Sequence, residues 1–319
     1  MAEITKEPIE DYALKSKQSE GTLFSKIGVV GCGIEGQNIV RISSLNGIEV
    51  VFIEFDKDKI EAAIAGISSE LDNSICRWEL TPGEKKAVIS RIHGSLDYKD
   101  LADCDLVIEA LPYNDVTGDR CLNMRKQAFK NIEEVVKQDA IIATNATTIV
   151  IYDLMSELEY PERCISLHIL ITSPEARIVE IAKGLYTTEE VYKKVSEFVK
   201  LIKRQAIPVT ESAGLVSMRL FALLLNEACD ILMEGVASLE NIDKVMSVGM
   251  GMNLGVFRLA DKIGLHKVAR LMENLYEEFG DQKYKPSQLI KRLVRMKLYG
   301  VQTGEGFYIY DENGKPVTN

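Results

Sequence analysis

Three histidines occur in this 319-residue chain: His93, His168 and His266. A histidine is the usual proton acceptor near neutral pH, so these three limit where such chemistry can be done. His93 precedes Gly94 at what reads as a helix end, and His266 follows Gly264-Leu265 in a polar helical stretch. Both are expected to be solvated. His168 closes the apolar run ISLHIL, near the carboxyl end of a predicted strand, where open α/β sheets carry their ligands. Twelve residues further on, Glu180 sits inside RIVEIA with apolar residues on both sides. A carboxylate buried alone is costly, and His168 is its evident partner. Residue types leave two readings open: a core histidine bonded to a structural glutamate, or a general base oriented by a carboxylate.

A second constellation is Gly31-Cys32-Gly33-Ile34-Glu35-Gly36, a G-x-G-x-x-G that follows one predicted strand and opens a helix. Gly31 serves the tight turn, Gly33 the close approach of a pyrophosphate, and Gly36 the packing of helix on strand. The helix N-terminus, with Ile34 and Glu35 in its first turn, offers amide donors to the phosphates. Eighteen residues past Gly36, Glu54 ends the second strand, where an acid binds the adenosine ribose hydroxyls. Glu54 would repel a 2′-phosphate, so the expected cofactor is NAD and not NADP. Glu35 points near the pyrophosphate, and no role follows for it from the motif.

The elements that must position these groups alternate. SKIGVVG, EVVFIE, CDLVIEAL, AIIATN, ISLHIL, RIVEIA and AIPVT read as buried strands, separated for the most part by helices. Thr81, Pro82 and Glu84 give one of those helices a capping-box start. Strands alternating with helices imply an α/β fold with a doubly wound, Rossmann-type parallel sheet covered on both faces. From Gly214 to about Arg295 the pattern is wholly helical. The expected division is an arm over 1–23, a nucleotide-binding domain over 24–211, and a helical C-terminal domain over 212–319. The first helix of that domain, from Gly214 to Gly235, is apolar around most of its circumference. One supporting face cannot cover so much apolar surface, so a homodimer is expected.

Composition narrows the class. The chain carries 48 acidic against 38 Lys and Arg residues, a formal charge of -10, which argues against a nucleic-acid partner. Its six cysteines form no C-x-x-C pair and lack histidines at ligand spacing, so no metal site is expected. Reduced thiols and a polar, mixed-charge start suggest the cytoplasm. No apolar run reaches the length of a membrane span.

The blocks SKIGVVGCGIEGQ, CDLVIEA, TNATT, SLHIL with IVEI, LLNEA, IDKVMSVGMGMNLGVFRLADKIGL and VQTGEGFYIY stand in one order from about Ser25 to Tyr310. In that order and spacing the chain resembles the L-3-hydroxyacyl-CoA dehydrogenase family. The resemblance implies hydride transfer between C3 of a 3-hydroxyacyl thioester and the nicotinamide, with a short-chain substrate such as 3-hydroxybutyryl-CoA, as in fatty-acid and butanoate metabolism. It implies that His168 and Glu180 form the catalytic dyad and that Thr147, at the family's serine, holds the 3-oxygen. It further places Glu109, Ala110, Arg125 and Asn145 along the cofactor. Two family asparagines fall on Ile171 and, in the family's G-F-I-V-N-R segment, on Met218; both positions line the expected substrate pocket. After Pro112, Tyr113 to Gly118 reads as an insertion. Two alternatives stand beside the acyl-CoA reading: a dehydrogenase of a 3-hydroxy acid not joined to CoA, and a catalytically weak NAD(H)-binding sensor or scaffold.

Overall fold

The computed structural model describes residues 24–113, 121–170, 177–312 and 314–317. The expected arm over 1–23, the insertion beyond Tyr113 and the pocket position Ile171 lie outside the described residues.

Eight strands form one sheet: β1 (Lys26–Val30), β2 (Glu49–Ile53), β3 (Ile92–Ser95), β4 (Leu106–Glu109), β5 (Ile141–Thr144), β6 (Cys164–Ile169), β7 (Ile178–Lys183) and β8 (Gln205–Thr210). Their order is β3-β2-β1-β4-β5-β6-β7-β8. Neighbours from β3 across to β6 pair in parallel, so the order reverses between β1 and β4, the crevice where such sheets take ligands. The inner strands β1, β2, β4, β5 and β6 are near-continuous apolar runs because both faces are covered. Alternate residues supply the two sides: Val50 and Phe52 join one core cluster and Val51 and Ile53 the other.

Three expectations from the sequence change. The sheet is not parallel throughout, since β6 and β7 pair antiparallel while β8 runs parallel to β7. The chain from Ile169 to Ile178 is shorter than the dozen or so residues a parallel crossover needs. His93 does not end a helix; it lies in the short strand β3, exposed as expected. His266 is half-buried and lies against Tyr299, with ring centroids 4.5 Å apart and the planes tilted by 47°, and is not simply solvated.

The covering helices are α1 (Ile34–Leu45), α2 (Lys57–Cys76), α3 (Pro82–Ile89), α4 (Leu122–Val135), α5 (Ile151–Met155) and α6 (Glu189–Leu201). The capping box on α3 forms as the sequence suggests, with Thr81 and Glu84 bonding each other's backbone amides. Beyond β8 the chain is helical: α7 (Ser217–Met233), α8 (Leu239–Lys244), α9 (Val256–Ile263), α10 (Leu265–Phe279) and α11 (Gln288–Arg295). A third core cluster, from Ala213 to Ile290, belongs to these helices. The block GEGFYIY is tied to them by buried Asp261, which accepts from the Phe307 and Tyr308 amides and the Tyr310 hydroxyl. On α7, Phe221, Ala222, Leu225, Ala228 and Cys229 are buried, while Val216, Leu220 and Leu224 form an exposed stripe at i, i+4, i+8.

Candidate active site

The turn after β1 takes its shape from its glycines. Gly31 has φ +91°, a left-handed conformation, and a Cβ there would lie 2.9 Å from the Ala110 carbonyl at the end of β4. Gly36 lies so close to the turn that a Cβ would stand 2.1 Å from the Gly31 carbonyl oxygen. Gly33 is the opposite case, since a Cβ there would meet open space. That space lies in front of the α1 N-terminus, where no side chain caps the helix. A pyrophosphate fits there and would satisfy the free amides. Glu54, half-buried at the end of β2, accepts from the Cys32 amide at 2.5 Å, so its carboxylate is held beside the glycine turn, within reach of an adenosine ribose.

Glu35 leaves α1 in the other direction. Its Oε2 accepts from Asn145 Nδ2 at 2.8 Å, across the crevice between β1 and β4. Asn145 is buried just past β5, and its Oδ1 accepts from the Ile169 amide at 3.1 Å. The cofactor turn, the end of β5 and the end of β6 are thereby joined.

One residue before Ile169 is His168. In the antiparallel register of β6 and β7 it stands directly opposite Glu180, and its Nδ1 lies 3.0 Å from Glu180 Oε2. Both side chains are nearly inaccessible, at 9% and 4%, which fixes the pair. Glu180 also takes the place of a cap on α7. Its Oε1 accepts from the Val216 amide at 3.1 Å and the Ser217 amide at 3.0 Å, and its Oε2 from the Ser217 hydroxyl at 2.7 Å. Burial pushes the Glu180 carboxyl up, but the bonds from His168 and from the Ser217 side chain and amide outweigh it and hold it below the usual carboxylate range. The carboxylate is thus an anion at a helix N-terminus, where the dipole favours it. With Nδ1 engaged, Nε2 is the ring atom left to exchange a proton.

The loop after β5 faces the same place. The Thr147 carbonyl accepts from the Gly214 amide at 2.6 Å, which pins this loop to the entry of α7, and the Thr147 residue is half-buried. Met218, also half-buried, follows Ser217 in the first turn of α7.

Glu109 and Arg125 engage each other. They are 0% and 1% exposed, and Arg125 Nη1 donates to Glu109 Oε1. Arg125 Nη2 donates to the Leu111 carbonyl at 2.6 Å, while Glu109 accepts from the Leu111 amide at 2.7 Å and the Thr144 hydroxyl at 2.6 Å. Their contribution to the site is to hold the β4 end and the Ala110-Leu111 backbone against the glycine turn.

Ser217 is the residue that sequence reasoning missed. The available signal was its place in Gly214-Leu215-Val216-Ser217-Met218-Arg219, where the family segment has an apolar residue and this chain has a hydroxyl. Among the described residues no three or more His, Cys, Asp or Glu side chains gather as a metal site, and no helix is long and apolar enough to cross a membrane.

Comparison with known proteins gives two family matches: "3-hydroxyacyl-CoA dehydrogenase, NAD binding domain" over residues 26–212 and "3-hydroxyacyl-CoA dehydrogenase, C-terminal domain" over residues 214–310. A probable 3-hydroxybutyryl-CoA dehydrogenase of Deinococcus radiodurans is 33% identical over 285 residues, covering 89% of this chain and 100% of that protein. The 3-hydroxybutyryl-CoA dehydrogenase of Clostridioides difficile is 32% identical, covering 90% and 100%. The crystal structure of an (S)-3-hydroxybutyryl-CoA dehydrogenase from Ralstonia eutropha superposes with a TM-score of 0.80 at 33% identity, over 91% of this chain and 100% of that one.

Proposed function

The chain belongs to the L-3-hydroxyacyl-CoA dehydrogenase family, and we propose that His168 and Glu180 carry its chemistry on a short-chain substrate such as 3-hydroxybutyryl-CoA. It is an NAD-dependent oxidoreductase that oxidises a 3-hydroxyacyl-CoA. The dinucleotide, when bound, supplies the hydride acceptor. Gly31, Gly33, Ile34 and Gly36 form the turn that receives its pyrophosphate, Glu54 takes the adenosine ribose, and Glu109, Ala110, Arg125 and Asn145 shape the far wall. His168 Nε2 accepts the proton of the 3-hydroxyl as the C3 hydride departs, and returns it in the reverse direction. Glu180 keeps Nδ1 protonated and stabilises the imidazolium that forms. The Thr147 hydroxyl donates to the 3-oxygen. Met218, apolar where the family has an amide, packs against the acyl portion.

The observation that carries this reading is the cross-strand pair itself. His168 and Glu180 are 3.0 Å apart, and the carboxylate is anchored by the helix that begins the C-terminal domain. A sensor or scaffold needs no proton acceptor so positioned. The test is NADH oxidation with acetoacetyl-CoA beside free acetoacetate, followed by nicotinamide absorbance. Turnover of the thioester alone is the expected result. Turnover of the free acid instead would move the enzyme to a 3-hydroxy acid not joined to CoA, with Met218 as the residue to pursue.

The same reading divides the chain into a nucleotide-binding unit over 24–211 and a helical unit over 212–319, which closes the substrate cleft. The exposed stripe Val216, Leu220 and Leu224 suits a homodimer formed through the helical unit, and the free cysteines suit the cytoplasm.

A further inference from the structure

The glycine turn carries an acid that the phosphate-binding motif does not call for. Glu35 lies in the first turn of α1, in front of the space where a pyrophosphate fits. Its carboxylate does not stay there. It reaches past β4 to Asn145 at the end of β5, bonding Nδ2 at 2.8 Å, and Asn145 in turn holds the Ile169 amide beside His168.

The direction of that reach matters because the dinucleotide site has a polarity. Glu54 at the end of β2 marks the adenosine side and the α1 N-terminus marks the pyrophosphate. The nicotinamide half therefore lies on the other side of the crevice, over the ends of β4, β5 and β6, where His168 must meet it. Adjacent strands are roughly 4.8 Å apart, so a carboxylate bonded to Asn145 stands within a few ångströms of that half of the site.

We propose that Glu35 discriminates between the two redox states of the cofactor, favouring the oxidised form. The proposal rests on the reading of the site as an NAD site and adds a role to it. The pyridinium ring of NAD+ carries a positive charge that the dihydropyridine of NADH lacks, while the phosphates, riboses and adenine are common to both. A fixed anion beside the ring attracts the first and not the second. Any repulsion between Glu35 and the pyrophosphate falls on both forms alike and cancels in their ratio. Through the thermodynamic cycle, tighter binding of NAD+ than of NADH lowers the midpoint potential of the bound couple and favours release of the reduced product. An ordinary structural role competes with this account: an acid in the first turn of a helix, bracing Asn145.

Isothermal titration of NAD+, NADH and ADP-ribose into the full chain and into Glu35→Gln separates the two. Glutamine keeps a side-chain oxygen for Asn145 Nδ2 and removes only the charge. The expected result is NAD+ weakened about tenfold, corresponding to about 1.4 kcal/mol, with NADH and ADP-ribose moving together by about twofold or less. Glu35→Met, which removes charge and brace together, is expected to change the NAD+ to NADH ratio by the same factor. A ratio unchanged in both variants, with ADP-ribose still bound, overturns the role of Glu35 and leaves the cofactor site standing. Absence of any dinucleotide or ADP-ribose binding by the unaltered chain overturns the site assignment and the proposal with it.

Discussion

Ser217→Ala removes one of the four hydrogen bonds on the Glu180 carboxylate, the shortest of them at 2.7 Å. The hydroxyl and His168 Nδ1 share one oxygen, Oε2. Each donor lowers the electron density available to the other, so deleting the hydroxyl makes that oxygen a better acceptor for the imidazolium. A hydrogen bond to a charged group contributes about 1.5–3 kcal/mol, and one unit of pKa corresponds to about 1.4 kcal/mol. Glu180 is held below the usual carboxylate range, with burial opposing and the His168 and Ser217 bonds prevailing. Losing one donor raises it. In the oxidative direction the acceptor must be neutral, and the oxygen that holds its protonated form is now the better acceptor, so the acid limb of kcat/KM is expected to move to higher pH, with kcat/KM on that limb roughly three- to tenfold lower at a fixed pH. The plateau above it changes little. Ser217→Thr, which keeps a hydroxyl, is expected to restore the limb. The assay is a pH profile of kcat/KM with thermal melts of each variant alongside. A limb that stays in place, or moves to lower pH in Ser217→Ala, would refute the reasoning that this hydroxyl acts through the shared oxygen.

Three other outcomes follow from the same structure. Glu54→Ala is expected to reduce a preference for NAD over NADP that is roughly tenfold or more in the unaltered enzyme; equal Michaelis constants for the two cofactors before mutation would exclude Glu54 from ribose recognition. Arg125→Met leaves the Glu109 carboxyl at 0% exposure without its ion-pair partner and is expected to cost about 3–5 kcal/mol of stability in denaturant titration, with much of that recovered when Glu109→Gln is added; a double variant as unstable as the single one would show that the Glu109 carboxyl is not the cause. Sedimentation at micromolar concentration is expected to give a dimer, and Leu220→Glu with Leu224→Glu a folded monomer; a monomeric unaltered chain would mean that the α7 stripe has no partner copy.

The local signals were the legible ones. Continuous apolar strands, the glycine turn, the capping box at Thr81 and the helical run after Gly214 each depend on neighbours in the chain, and each stands where the pattern put it. The pairing of His168 with Glu180 was readable because a carboxylate inside an apolar strand needs a partner, and the antiparallel register of β6 and β7 sets the two opposite each other. The reversal at β7 follows from the short link between the two strands, a matter of chain length that the apolar pattern does not carry. β3 was hidden because IHGS is short and its three later residues are exposed or half-buried, so it carries almost no hydrophobic period. Long-range polar pairs were not legible. Glu35 and Asn145 are 110 residues apart, and only the folded sheet brings α1 over the end of β5. Glu109 and Arg125, expected along the cofactor, are also buried against one another, a pairing set by packing that composition does not reveal. Ser217 was not legible because its partner Glu180 lies 37 residues away and is brought to the start of α7 only by the fold.

The central claim is that His168 exchanges the substrate proton while the dinucleotide is bound elsewhere, on the glycine turn and Glu54. His168→Gln separates the two most directly when NADH affinity and steady-state turnover of acetoacetyl-CoA are measured on one preparation. The account predicts a fall in kcat of at least about a hundredfold, within the usual range for general acid–base catalysis, with the NADH dissociation constant changed by about twofold or less. Turnover at the unaltered rate with NADH still bound would contradict it and assign the proton to another group.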